Sequence, residues 1–202
     1  MKNIKTFNTT EEFERFFSNI RKKFIASGGE GEVYLTSNNE VIKYMKESFD
    51  PKFLSESKDI IMADDIKLDS FIFPKELYVI DDQIVGYKED YFKGNIIKFN
   101  GGNIKNINVD ALERARFRMI KDIEILTFQG YYLLELPRNI LFDNKKLCAI
   151  DTLDYRKTKH VSLEANISAL DYALASELKD VKNSFIDSND SFEIVLQKLR
   201  TK

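Results

Sequence analysis

The period of the apolar residues changes several times along the chain, and each change marks an element. Phe13, Phe16, Phe17, Ile20 and Phe24 recur at helical spacing behind a Thr9/Glu12 capping box, which predicts a helix over residues 9–24. The segment Ala26-Ser-Gly-Gly-Glu-Gly31 stops it. Two β-type runs follow, 32–36 and 40–45, joined by Ser37-Asn38-Asn39, whose asparagines suit a tight hairpin. Asp50-Pro51 reads as the N-cap and first turn of a second helix reaching Ala63, with Phe53, Leu54, Ile60 and Ile61 inward. Residues 71–80 and 83–92 are strand-like around an Asp81-Asp82 turn, and residues 93–107, rich in Gly and Asn, read as a connection.

Beyond the connection the helical period returns. Val109, Leu112, Ala115, Met119, Ile123 and Leu126 line one face of a helix over 109–128. Two short apolar runs, 140–142 and 147–150, flank the turn Asp143-Asn-Lys-Lys146. The end is helical, with Ile167, Leu170, Leu174, Leu178 and Val181 on one face and Phe192, Val195, Leu196 and Leu199 on another. The expected class is α+β, β-rich over 1–92 and mainly helical over 93–202. No internal repeat is visible.

Composition narrows the chemistry. The 202 residues are 43% hydrophobic and 12% aromatic, enough for a buried core, so wholesale disorder is excluded. A formal charge of −2 gives no basic field, and no nucleic-acid partner is expected. The single cysteine, Cys148, excludes a disulfide framework, and the single histidine, His160, argues against a His-centred triad. Cys148 sits in an apolar run and reads as a small buried hydrophobe, while His160, in a charged stretch, reads as solvated. No apolar run is long enough to span a bilayer and the N-terminus lacks a secretory pattern. The expectation is a cytoplasmic protein, or one exported without a recognisable signal peptide. Chemistry must then run on carboxylates, lysines, amides and backbone.

Three features stand out. The first is Ala26-x-Gly28-Gly29-x-Gly31-x-Val33, whose glycines let backbone N–H groups approach an anion without side-chain obstruction. No Gly-Lys-Ser/Thr follows, which excludes a P-loop, and glycines that precede a strand disfavour a dinucleotide-binding turn. The second is Val41-Ile42-Lys43 on the next strand, where alternation points the ammonium under the glycine loop. The third is the run from Leu136 to Leu153. There Asn139 opens one short strand and Asp151 closes its partner, so a hairpin presents an amide oxygen and a carboxylate at one edge as hard ligands for Mg²⁺. Each feature alone has an ordinary reading: a turn, a strand-edge charge, a polar hairpin end.

Taken in order, the glycine loop, strand lysine, glutamate-bearing helix, apolar hairpin and Asn…Asp resemble the protein-kinase-like superfamily over about 26–155. The phrasing of Pro137-Arg-Asn139-Ile-Leu-Phe-Asp and Ile150-Asp151-Thr-Leu is closest to aminoglycoside- and choline-type small-molecule kinases and to small bacterial kinase-like proteins. The resemblance implies a two-lobed fold, with an N-lobe over 1–92 and a reduced helical C-lobe over 93–202. It implies ATP and Mg²⁺ as cofactors, with Gly28, Gly29, Gly31 and Val33 over the phosphates and Lys43 on them. Glu56 is the expected partner of Lys43, with Asp59 in reserve. Residues 89–92, including Glu89 and Tyr91, match the hinge that receives adenine. Asn139 and Asp151 match the metal ligands.

The sequence also departs from the family pattern. Five residues before Asn139, where kinases carry a catalytic aspartate, stands Leu134, and the neighbouring carboxylate is Glu135. Either a shortened loop lets Glu135 act as base or the base is absent. Tyr132 replaces the loop histidine, Asp151-Thr-Leu replaces Asp-Phe-Gly, and Asp154 is a second carboxylate nearby. The leading expectation is an ATP-dependent phosphotransferase acting on a protein acceptor. The alternatives are a small-molecule kinase, a pseudokinase serving as a binding module, or transfer of AMP.

Overall fold

Strand pairing organises the first half of the chain. The computed structural model describes residues 4–46, 52–55, 57, 59, 66–96, 103–133, 136 and 139–201. The chain is α+β and divides into two compact units, Met1–Ile66 with Phe73–Tyr91, and Lys67–Ile72 with Phe92–Lys202. The first unit holds a seven-stranded mixed sheet. Its strands are β1 (Ile4–Phe7), β2 (Lys22–Ser27), β3 (Gly31–Thr36), β4 (Glu40–Met45), β5 (Lys52–Phe53), β6 (Glu76–Ile80) and β7 (Gln83–Asp90). The order is β1-β6-β7-β4-β3-β2, with β5 also on β7, and only β1–β6 is parallel.

One face of this sheet is roofed by helix α1 (Thr10–Asn19). Thr9 Oγ1 caps it by accepting from the Glu12 N–H (3.2 Å), as the capping pattern predicts, while the Glu12 carboxylate reaches one residue beyond the N-cap to accept from the Asn8 N–H (2.9 Å). Phe13 stacks on Tyr44 at 5.6 Å between centroids, and Phe17 meets Tyr34 edge-on at 5.2 Å. Phe7, Phe13, Ile42 and Tyr78 form the buried heart of this layer. By strand alternation Val33, Val41, Lys43, Tyr87 and Glu89 belong to the opposite face. The aromatic helix thus seals one side and leaves the lysine on the other.

Four sequence expectations change here. The predicted helix over 9–24 ends at Asn19, Ile20 leaves helical geometry, and Lys22–Ser27 is strand β2. Phe24 keeps helical spacing from Ile20, yet it lies opposite Tyr34 on β3 and packs edge-on to that ring at 5.6 Å. Pairing with β3 satisfies the backbone of this stretch, and its glycine loop therefore joins two strands, not a helix and a strand. Strand β1 was not foreseen. Lys52–Phe53 pairs with β7 where a first helical turn was expected, whereas residues 54, 55, 57 and 59 are helical. Asp50, Pro51, Ile60, Ile61 and Ala63 lie outside the described residues. The strand expected over 71–80 is confined to 76–80. The Asp81-Asp82 turn is as expected, both residues having left-handed φ (47° and 61°), the geometry of a two-residue hairpin.

The second unit is mainly helical: α2 (Val109–Phe128), α3 (Leu163–Lys179) and α4 (Phe192–Arg200). Five of the six predicted stripe residues of α2, from Leu112 to Leu126, are buried, as are all four predicted for α4. Arg116 on α2 clasps Asp171 on α3 with two hydrogen bonds of 2.6 and 2.7 Å, and its guanidinium lies 4.5 Å from the Phe192 ring of α4. One cation thus ties three helices together. Against them lie β8 (Asn95–Ile96), β10 (Ile140–Phe142) and β11 (Leu147–Ala149) as one sheet, and β9 (Tyr131–Tyr132) paired with β12 (Arg156–Lys157) as another. Among the described residues, no helix is long and apolar enough to cross a membrane.

Candidate functional site

The glycine loop is the turn of the β2–β3 hairpin. The Gly28 N–H donates to the Gly31 carbonyl (2.9 Å) and the Lys46 N–H to the Glu30 carbonyl (2.9 Å). The Gly29 and Glu30 N–H groups make no hydrogen bond among the described residues. The glycines have different causes. A Cβ on Gly31 would stand 2.2 Å from the Tyr44 carbonyl oxygen, so the approach of β4 demands glycine there. A Cβ on Gly28 or Gly29 would meet nothing within 4 Å, and neither has a left-handed φ. The fold does not need those two glycines, and bare backbone there leaves room for an approaching anion.

Strand register fixes what lies beneath. Val33 on β3, Lys43 on β4 and Tyr87 on β7 are direct cross-strand partners. Lys43 is buried, and its Nζ donates to Glu30 Oε2 at 2.6 Å, so the ammonium does reach the glycine loop. Lys52 Nζ approaches the same oxygen at 3.8 Å. Glu30 is the residue the sequence reading missed. The signal was available, because pairing Gly31 with Met45 places residue 30 beside the Lys43 strand. Glu56, the expected partner of Lys43, lies outside the described residues, and Asp59 is half-buried. Glu89 is buried opposite Val41, and the Tyr91 N–H donates to the Asn39 carbonyl (3.2 Å), which ties the end of β7 to the β3–β4 turn.

Asn139, Asp151 and Asp154 belong to the second unit. β10 and β11 pair as Ile140↔Ala149, and the Ile150 N–H donates to the Asn139 carbonyl at 2.9 Å. Asn139 and Asp151 therefore sit at one end of the hairpin, as the spacing requires. At the other end Asp143 Oδ1 accepts from the Lys145 and Lys146 N–H groups, both at 2.8 Å, and Asn144 takes a left-handed φ of 69°. Asp151 itself has φ 56° and ψ 47°, a left-handed conformation that costs a non-glycine residue about 1–2 kcal/mol. Held strain of this kind is characteristic of functional positions.

The neighbours of Asp151 hold it there. Thr152 is fully buried and its hydroxyl donates to the Ile72 carbonyl (2.9 Å). The Ile72 N–H donates to the Ala149 carbonyl (2.9 Å), and the Ala149 N–H to the Ser70 carbonyl (2.8 Å). Asp122 on α2 in turn accepts from the Asp69 and Ser70 N–H groups (3.1 and 2.8 Å). Tyr155 is buried, its hydroxyl has no hydrogen-bond partner among the described residues, and burial, then the Asp151 charge, push that hydroxyl well above the usual tyrosine range.

The chain at Tyr131 and Leu133 is pinned by a residue that sequence reasoning did not single out. Asn166 on α3 is fully buried; its amide donates to Thr127 Oγ1 (2.9 Å) and the Tyr131 carbonyl (3.1 Å), and its carbonyl accepts from the Leu133 N–H (3.2 Å). A buried asparagine with three bonds used is a rigid peg. Leu134 and Glu135, the two residues in question for the base, lie outside the described residues. Among the described residues no three His, Cys, Asp or Glu side chains gather. A divalent cation held by Asn139 and Asp151 would complete its oxygen shell from phosphate and water.

No family model matches the chain, and no curated protein matches it either.

Proposed function

We propose that the chain is a minimal, two-lobed kinase-like phosphotransferase that uses Mg²⁺-ATP, with a protein as the acceptor. The observation that carries this reading is the pairing of Gly28 and Gly29, which the fold leaves free to be larger, with a buried lysine whose ammonium reaches the same loop. The left-handed Asp151 at the Asn139 end of its hairpin supports it from the second unit. An amide oxygen and a carboxylate are the donors Mg²⁺ prefers, so the residues fit the metal. When bound, Mg²⁺-ATP supplies the transferable phosphoryl group and a neutralising charge.

The chain's own residues then divide the work. The Gly29 and Glu30 N–H groups and the Lys43 ammonium would hold the phosphates. Asn139 and Asp151 would hold the metal. Glu89 and Tyr91 border the adenine position. Glu135 takes the acceptor proton, which is worth roughly 10²–10⁴-fold. Positioning and electrostatics carry most of the rest.

The test is transfer of γ-labelled phosphate by the wild type, Glu135→Ala and Asp151→Ala. Activity in the wild type that falls about 10²-fold or more in both variants is the expected result. Signal that survives Glu135→Ala but dies with Asp151→Ala removes the base and keeps the enzyme. Transfer of α-label instead of γ-label identifies AMP transfer. The second reading, a pseudokinase that binds nucleotide or a partner and transfers nothing, is favoured by Leu134 at the base position. Wild-type protein that binds Mg²⁺-ATP and transfers no label decides for it.

A further inference from the structure

Two ammonium groups converge on one carboxylate at the glycine loop. Lys43 and Lys52 stand 2.6 and 3.8 Å from Glu30 Oε2, and both lysine side chains are largely buried, at 10% and 14% exposure. Glu30 keeps 34% of its side chain in solvent. The cations thus lie in a poorly hydrated place, one on β4 and one on β5, while the anion sits on a turn and is the most exposed of the three groups. Gly28 and Gly29 beside it have open space around their Cα atoms, and the Gly29 and Glu30 N–H groups are uncommitted among the described residues.

We propose that Lys43 and Lys52 form a two-ammonium polyanion site that the protein occupies with its own Glu30 carboxylate, which the phosphates of a nucleoside triphosphate displace. This rests on the reading of the loop as a nucleotide cradle and extends it in two ways. Lys52 becomes a second phosphate-binding residue, and Glu30 becomes an internal competitor that tunes affinity. Buried cations need compensating anions, and Glu30 is one that both lysines share until phosphate arrives. Displacement exposes the carboxylate to water at little cost, because that group is already partly hydrated.

Calorimetric titration of Mg²⁺-ATP, inorganic tripolyphosphate and adenosine into the wild type, Glu30→Gln, Lys52→Met and Lys43→Met tests this. Removing the competing charge in the near-isosteric Glu30→Gln tightens ATP and tripolyphosphate by about tenfold and leaves adenosine unchanged. Lys52→Met weakens both phosphate ligands by roughly fivefold, again without effect on adenosine. A gain of affinity is a result that structural damage does not produce. Unchanged or weaker ATP binding in Glu30→Gln overturns the proposal, as does an equal gain for adenosine. If the wild type binds ATP and Lys43→Met abolishes it while Glu30→Gln does not tighten it, only this inference falls. If no variant binds any nucleotide, the cradle reading falls with it.

Discussion

The glycine loop and the Asn139–Asp151 hairpin both end short β-pairs, yet they hold their polar groups by different means. At the loop, sheet register does the placing: Val33, Lys43 and Tyr87 are opposite one another, and Glu30 neutralises the lysine through a 2.6 Å contact. The backbone there is relaxed, with no left-handed residue between 26 and 36. At the hairpin, the backbone leaves the relaxed regions at both ends, at Asn144 in the turn and at Asp151. Asp151 is left-handed and is kept so by Thr152, Ile72 and Ala149, whose hydrogen bonds leave the local chain no alternative. The first region is thus held by charge compensation on a relaxed backbone, the second by a hydrogen-bonded, left-handed turn. The difference teaches that a cation can be delivered by periodicity alone, whereas this carboxylate needs a built turn.

The contrast is broken most strongly at Gly31. Gly31→Ala drives a Cβ into the Tyr44 carbonyl and is expected to destabilise by about 1–3 kcal/mol, read by denaturant unfolding. Gly29→Ala, whose added Cβ would meet nothing within 4 Å, is expected to leave stability equal or up to about 0.5 kcal/mol higher, while weakening Mg²⁺-ATP binding. Equal stability losses for the two would remove the distinction between a fold glycine and a ligand glycine.

Asp151 gives the next effect. Glycine tolerates left-handed backbone and alanine does not, so Asp151→Gly should unfold about 1 kcal/mol harder than Asp151→Ala, with both variants inactive. Equal stabilities would mean that the turn is not strained. The smallest effect concerns pH. Tyr78 in the first unit and Tyr155 in the second are both pushed up, by burial first and then by Glu76 and Asp151 respectively. Tyr34, through its hydrogen bond to Glu32, rises to about 12. A folded pKa above the unfolded value of 10.0 means that these groups favour the native state below that pH. That contribution is lost as pH rises through the folded values. Stability is therefore expected to fall from about pH 10 upward, with ionisation of Tyr34, Tyr78 and Tyr155 appearing together with unfolding; ionisation of these three ahead of unfolding would contradict it.

What could be read from sequence follows from burial. The α2, α3 and α4 stripes and the 140–149 hairpin were legible because most of their apolar residues are buried. Strand β2 was not, because it is the edge strand and its residues 23–27 are exposed, which erases the alternation and leaves Phe24 at a misleading helical spacing. β1 was hidden because it is four residues long, buries only Phe7, and pairs with a partner some seventy residues away. Among the candidate site residues, Lys43 stood out between Ile42 and Tyr44, and Asn139 and Asp151 stood out at the outer ends of the two apolar runs of one hairpin. Glu30 and Asn166 did not, since a glutamate in a turn and an asparagine in a helix are ordinary until three-dimensional partners appear.

Whether nucleotide and metal act on this chain together is tested most directly by thermal unfolding with and without Mg²⁺-ATP. Ligand about tenfold above Kd is predicted to raise the wild-type Tm by roughly 3–5 °C, with the magnesium-dependent part lost in Asp151→Ala and the whole shift lost in Lys43→Met. No shift of the wild type at millimolar Mg²⁺-ATP would contradict it.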